Sequence, residues 1–234
     1  MLQKFQDLTI KNSFMFAAVM SNEELCRHLL EVILEIRIRK VSIVTEKTIN
    51  YHPEYHGIRL DVLAVEDGTE RRFNVEMQVK RKDGLLRRCR YYHAHMDMDV
   101  LLTNMEYKNL PDCYVIFICD FDPLNSGLYR YTCQMTCREN GQILSDGSRT
   151  ILLNTKGTNP EDIPKELVDF LTYARHPDQP SQNILQDDFV RSLDEEIAAI
   201  KRNRTWEAKY MRFMELLEDE RAEARAEGHA EGHA

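Results

Sequence analysis

The segment Ile58-Arg-Leu-Asp-Val-Leu-Ala-Val65 places a carboxylate, Asp61, inside an apolar run that reads as a strand buried on both faces. The turn Glu66-Asp67-Gly68-Thr69 leads into a second strand-like stretch, residues 71–80, in which Asn74, Glu76, Gln78 and Lys80 alternate with Phe73, Val75, Met77 and Val79. Asp-Gly between two such runs is a hairpin signal. The chain is therefore expected to lay strands 58–66 and 71–80 side by side, with Asp61 near Glu76 and with Glu76 and Gln78 on one side. A carboxylate buried there costs several kcal/mol unless something compensates it. An oxygen-preferring divalent cation is the natural compensator for two converging carboxylates. The same alternation also describes a half-buried strand whose Glu76, Gln78 and Lys80 merely face water. Asp61 fits that description poorly, because Leu60, Val62, Leu63 and Val65 leave it no solvated face.

Around this hairpin the chain alternates helix and strand. Asn12 or Ser13 is placed to cap a helix carrying Phe16, Val19 and Met20, and Ser21-Asn22-Glu23-Glu24 to restart one through Leu25, Leu29, Leu30, Ile33 and Leu34. Residues 41–51 alternate as a strand, and 52–57 read as a turn. Residues 83–105 carry a helical stripe of Leu85, Cys89, Tyr92, Met96 and Val100, and 113–121 form the most apolar strand, expected at the sheet's centre. Further strands are expected at 128–138 and 150–153, and a helix at 160–174 begins at Pro160 after Asn159. The order helix, three-strand meander, helix, central strand is αβββαβ, a mixed sheet with helices on its faces. Residues 1–175 form the expected domain and 176–184 a linker by composition. Residues 185–234 are expected to form a charged helical extension. Its Trp206, Tyr210, Phe213 and Leu217 would pack on the domain or on a second copy of the chain. The four-residue repeat that ends it reads as a frayed low-complexity tail, and its His229 and His233 lack the further ligands of a metal site.

Charge is unevenly spread. The chain carries a net −8, yet residues 70–90 hold eight basic residues against three acidic ones, while residues 185–234 hold thirteen acidic against eight basic. The local field around Glu76 thus suits an anionic polymer, and the overall acidity argues against coating DNA indiscriminately. No apolar run approaches a membrane span, and no signal-type segment opens the sequence, so a cytoplasmic protein is expected. The six cysteines form no Cys-x-x-Cys pair and no zinc-ligand spacing, and are expected as reduced thiols. No glycine loop of phosphate-cradling type occurs, no spacing favours a Ser/His/Asp or Cys/His nucleophile, and His93 and His95 are not expected to hold metal.

Two carboxylates on adjacent strands, with coordination positions left open, are what metal-assisted phosphodiester hydrolysis needs. The pattern Leu60-Asp61-Val62, thirteen residues, then Glu76-Met77-Gln78 resembles the core of the PD-(D/E)XK nuclease superfamily. More narrowly, it resembles the Rpn-type recombination-promoting nucleases, also described as PD-(D/E)XK family transposases, in which glutamine replaces the usual lysine. Arg88-Cys-Arg-Tyr-Tyr92 is similar to that family's Arg-x-x-Tyr-Tyr pattern. The resemblance spans roughly residues 8–175 and implies a restriction-endonuclease-like fold and an Mg²⁺-dependent endodeoxyribonuclease, with Mn²⁺ as a substitute, acting on DNA in recombination or transposition. It implies Asp61 and Glu76 as metal ligands with the Met77 carbonyl as a third, and Gln78 in the catalytic lysine's place. Glu24 or Glu31 would be the acid that the superfamily often adds from its first helix. Lys80, on the strand face of Glu76 and Gln78, is a candidate for the missing charge, with Lys82 nearby. Arg88 and Tyr92 are candidates for contacting a phosphate or bracing the acids. A catalytically weak module that binds DNA or a protein partner is the alternative.

Overall fold

The computed structural model describes residues 3–49 and 57–231, with residues 219–231 as helix backbone only. The turn expected at 52–57 falls, save Gly57, outside the described residues, as does His233 of the tail's histidine pair.

Two asparagines divide the first helical stretch. Asn12 accepts a hydrogen bond from the Met15 N–H and opens α1 (Ser13–Met20); Asn22 accepts from Glu24 and Leu25 and opens α2 (Glu23–Leu34). Such side chains satisfy N–H groups that the helix itself leaves unpaired. Asn22→Ala should therefore lower stability by about 1 kcal/mol. A denaturation midpoint shifted without a change in slope would show it, and an unmoved midpoint would remove the cap as the cause of the restart.

Strands β1 (Val41–Ile49), β2 (Ile58–Glu66) and β3 (Arg72–Gln78) form an antiparallel meander. Helix α3 (Leu85–Met98) then crosses over the sheet to β4 (Cys113–Cys119), which runs parallel to β3. Strand β5 (Arg130–Cys133) closes one edge, antiparallel to β6 (Ser148–Asn154), which lies parallel to β4. The order β1-β2-β3-β4-β6-β5 puts β4 inside, and all seven of its residues are buried. On one face Val62, Val75, Met77 and Ile116 share an apolar cluster with residues of α1, α2, α4 (Lys165–Arg175) and α5 (Asp188–Arg202). On the other, Leu60, Leu63, Phe117 and Cys119 pack with Cys89, Tyr92 and Met96 of α3. The expected αβββαβ order and mixed sheet are what is found. All six cysteines are free thiols, and no helix among the described residues is long and apolar enough to cross a membrane.

The departures have local causes. Strand β3 stops at Gln78, two residues short of Lys80. Helix α3 stops at Met98, where its C-cap Asp99 is held by Lys47 Nζ at 2.5 Å and Arg72 Nη1 at 2.8 Å. The helix expected from Pro160 is only a 3₁₀ turn at Pro160–Asp162, and α4 begins after Pro164, which has no N–H to continue a helix from Pro160. The expected strand at 128–138 shrinks to the four residues of β5. The C-terminal helix divides at Asn203 into α5 and α6 (Arg204–Glu231). In α5, Phe189, Val190, Leu193, Ile197 and Ile200 are buried in the cluster that contains α1 and α2. From α6, Trp206, Tyr210 and Phe213 gather around Phe14 at ring distances of 6.1, 5.2 and 5.4 Å, and the Tyr210 hydroxyl donates to the Gln3 carbonyl. The apolar stripe that suggested self-association thus packs on this chain's own first helix.

Candidate active site

The sheet is regular up to the pair Val62↔Val75 and then opens. At the next position Asp61 and Glu76 face one another without exchanging backbone bonds. Instead the Asp61 N–H donates to Glu76 Oε1 at 3.1 Å, and the Met77 N–H donates to Asp61 Oδ2 at 3.2 Å. Each carboxylate replaces a main-chain carbonyl missing from the ladder. The β1 side is irregular at the same level: Thr45↔Val62 and Lys47↔Leu60 are paired, while Glu46 between them adopts a left-handed φ of 54°. That conformation is uncommon for a residue other than glycine and tends to cluster at functional sites. The alternation of faces changes here as well, since Leu60 and Leu63 both lie against α3 while Val62 faces the opposite cluster. Asp61 sits at the switch.

Glu76 does not face water. It is 7 % exposed, and the same side of β3 carries the fully buried Asn74. Helix α3 covers this face, which the alternation of polar residues could not reveal. Burial pushes the Asp61 carboxyl up to about 6, against the opposing pull of the Met77 N–H and the charges of Arg59 and Arg88. Burial also raises Glu76 well above the usual carboxylate range, and the neighbouring charge of Asp61 adds to the rise. In the absence of a cation, two acids so placed resist full ionisation. Among the described residues, no hydrogen bond engages Asp61 Oδ1 or Glu76 Oε2. The Met77 carbonyl lies on the same strand edge as its N–H, toward the opening beside Asp61.

The remaining expected site residues divide into those the fold gathers and those it does not. Gln78 is fixed at both ends of its amide: Oε1 accepts from Arg88 Nη2, and Nε2 donates to the Lys80 carbonyl at 2.5 Å. The Arg88 guanidinium stacks on Phe117 at 4.6 Å and lies over Tyr92 at 5.8 Å. Tyr92 is itself buried against Phe117, which drives its hydroxyl pKa upward. A small cleft at the end of β3 is lined by Gln78, Lys82, Asp83, Leu85, Arg88 and Phe121, with neither acid in its wall. Lys80 was expected on the strand face of Glu76; because β3 ends at Gln78, it lies beyond the strand with its side chain exposed, and only its carbonyl reaches Gln78.

The first-helix acids are engaged elsewhere. Glu24 pairs with Arg27 at 2.8 Å, and Glu31 accepts from Arg27 at 2.6 Å and from the Ile38 N–H at 2.8 Å. Among the described residues no third His, Cys, Asp or Glu joins a metal-holding group with Asp61 and Glu76. Three residues of the site were not legible from spacing. Asn74 favours the charged form of Glu76, and its place two residues before Glu76 was the available signal. Arg59 pairs with Glu46 at 3.3 Å and lies over Phe213 of α6 at 5.3 Å, contacts that depend on register and on the docking of a distant helix.

A mixed six-stranded sheet of αβββαβ order flanked by helices is consistent with a PD-(D/E)XK nuclease domain. The family model for PD-(D/E)XK nuclease family transposases matches residues 5–227, and the chain belongs to that family. No curated protein and no solved structure matches the chain. Membership ties its function to nuclease and transposition chemistry, and the match reaches through α5 into α6.

Proposed function

We propose that the chain is a metal-dependent endodeoxyribonuclease that hydrolyses phosphodiester bonds of DNA and so promotes recombination or transposition. One observation carries this reading: a half-buried carboxylate, Asp61, and a buried one, Glu76, each bound to the other strand's backbone, lie together where the strand pairing ends. The donor set fits a hard divalent cation, with Asp61 Oδ1, Glu76 Oε2 and the Met77 carbonyl as its ligands. Mg²⁺ or Mn²⁺, when bound, supplies the Lewis acidity that phosphodiester hydrolysis requires. The chain's own residues do the rest. Asp61 and Glu76 are each held by a backbone N–H of the other strand. Helix α3 with Phe117 and Tyr92 keeps that side of the pair dry. Lys82 and the other basic residues of 70–90 draw the DNA backbone toward the cleft.

The glutamine in the lysine position favours a second reading, a weak or inactive module that binds DNA or a protein. The two separate on a supercoiled plasmid. The nuclease reading expects nicking that needs Mg²⁺ or Mn²⁺ and stops in chelator. Retained duplex binding without such nicking would favour the module.

A further inference from the structure

Gln78 stands where the superfamily pattern has a lysine, and an amide carries no charge. What it does instead is visible in its contacts. Its Nε2 is committed to the Lys80 carbonyl, so its Oε1 faces α3 and accepts from Arg88 Nη2. A lysine at this position would repel Arg88; a glutamine holds it.

Arg88 in turn has the properties of a poised cation. Its guanidinium lies on Phe117 and beside Tyr92, which limits its freedom. Its charge favours the ionised forms of both Asp61 and Glu76, yet it forms no ion pair with either among the described residues. Among the described residues its buried Nε has no hydrogen-bond partner. An orphaned guanidinium donor is costly unless a partner arrives, and Arg88 opens on the cleft shared with Gln78 and Lys82. The planar fork of an arginine matches phosphate oxygens. Lys80 and Lys82 are both exposed side chains and lack this confinement.

We propose that Arg88 is the catalytic cation that faces the scissile phosphate, and that Gln78 is its positioning residue, so that the charge has moved from the strand to the helix. The inference rests on the nuclease reading for its chemistry. As water adds to phosphorus it gives up a proton to solvent, the ester P–O bond breaks, and negative charge grows on the phosphoryl oxygens. Arg88 offsets that charge while the leaving oxygen takes up a proton from solvent.

The test uses the full chain with Arg88→Gln, Arg88→Lys, Gln78→Ala, the double variant Gln78→Ala/Arg88→Gln, and Gln78→Lys/Arg88→Gln. Two quantities are read: the single-turnover cleavage rate, and the salt dependence of duplex binding in Ca²⁺. Arg88→Gln should slow single-turnover cleavage at saturating protein by about 10²-fold, the scale of losing one donor to a developing oxyanion. It should also reduce the salt slope by about one phosphate contact. Gln78→Ala should slow cleavage by about tenfold and add nothing to Arg88→Gln, since both act through one group. Arg88→Lys should keep the salt slope, which guards against reading a folding defect as a lost contact. Gln78→Lys should restore at least about tenfold of the rate lost in Arg88→Gln, because it returns the charge to the strand. Multiplicative losses in the double variant, or an Arg88→Gln protein with unchanged rate and slope, would overturn the proposal. If the wild type binds duplex but never cleaves it, the nuclease reading fails while the salt slope still decides whether Arg88 meets a phosphate. If it does not bind duplex, both fall.

Discussion

Asp61→Ala and Glu76→Ala should each lower metal-dependent DNA cleavage by about 10³-fold or more, since a metal contributes several kcal/mol to the transition state and about 4 kcal/mol corresponds to that factor. The two losses should not multiply, because either acid alone leaves the cation too few ligands. Each also has a structural side: Asp61→Ala takes the acceptor from the Met77 N–H, and Glu76→Ala takes it from the Asp61 N–H. Asp61→Asn and Glu76→Gln keep an acceptor oxygen in place and should be as inactive with less disturbance of the fold. Single-turnover nicking of supercoiled plasmid in Mg²⁺ checks this, and wild-type rates in either isostere would rule the pair out as the centre of the chemistry.

The metal-free protein should lose stability relative to its Asp61→Asn and Glu76→Gln variants as pH rises from 4 to 8, opposite to the usual behaviour of paired surface acids. Burial lifts the Asp61 carboxyl from an ordinary 3.8 to about 6 in the folded chain, and burial with the neighbouring Asp61 charge raises Glu76 well above its ordinary range. Between those values the folded state holds protons that the unfolded state has released. The stabilisation is complete below about pH 4 and is lost as pH rises through about 6 and beyond, with about 2–3 kcal/mol attributable to Asp61. In chelator at pH 8, Asp61→Asn and Glu76→Gln should therefore melt roughly 5–10 °C above the wild type for a chain of this size. Saturating Mg²⁺ should erase most of that gap by stabilising only the wild type. Melting curves across pH, with and without metal, carry the comparison. A metal-free wild type whose Tm changes with pH just as the two isosteres do would contradict the raised, like-charged pair, since His93, Glu66, Asp99 and Asp122 are shifted the other way in all three proteins.

Sequence patterning reached the sheet and the acids but not what surrounds them. The apolar run at 113–119 announced the central strand because a strand covered on both faces has no polar alternation. Asp61 and Glu76 were placed together by the hairpin alone. Whether Glu76 faced water was undecidable there: a period of two names a face, and only α3 packing on it turns that face into an interior. The opening of the ladder depends on a register shared by three strands, with Glu46 and Asp61 at one level, and nothing local to either residue signals it. The first-helix acids failed for a related reason. Helical spacing groups Glu24 and Glu31 with Arg27, but not the rotation of α2 against the sheet, which turns them toward Arg27 and the helix exit. The tie between Gln78 and Arg88 joins a strand end to a helix ten residues on, through a crossover whose path is tertiary.

The central claim, that Asp61 and Glu76 form a cation site, is met most directly by calorimetric titration of Mn²⁺ into the wild-type, Asp61→Asn and Glu76→Gln proteins, in two buffers that differ in ionisation enthalpy. The account predicts about one Mn²⁺ per wild-type chain, with proton release near neutral pH because raised carboxyls must ionise to bind it, and no comparable heat in either isostere. Isotherms that are the same in all three proteins would contradict it.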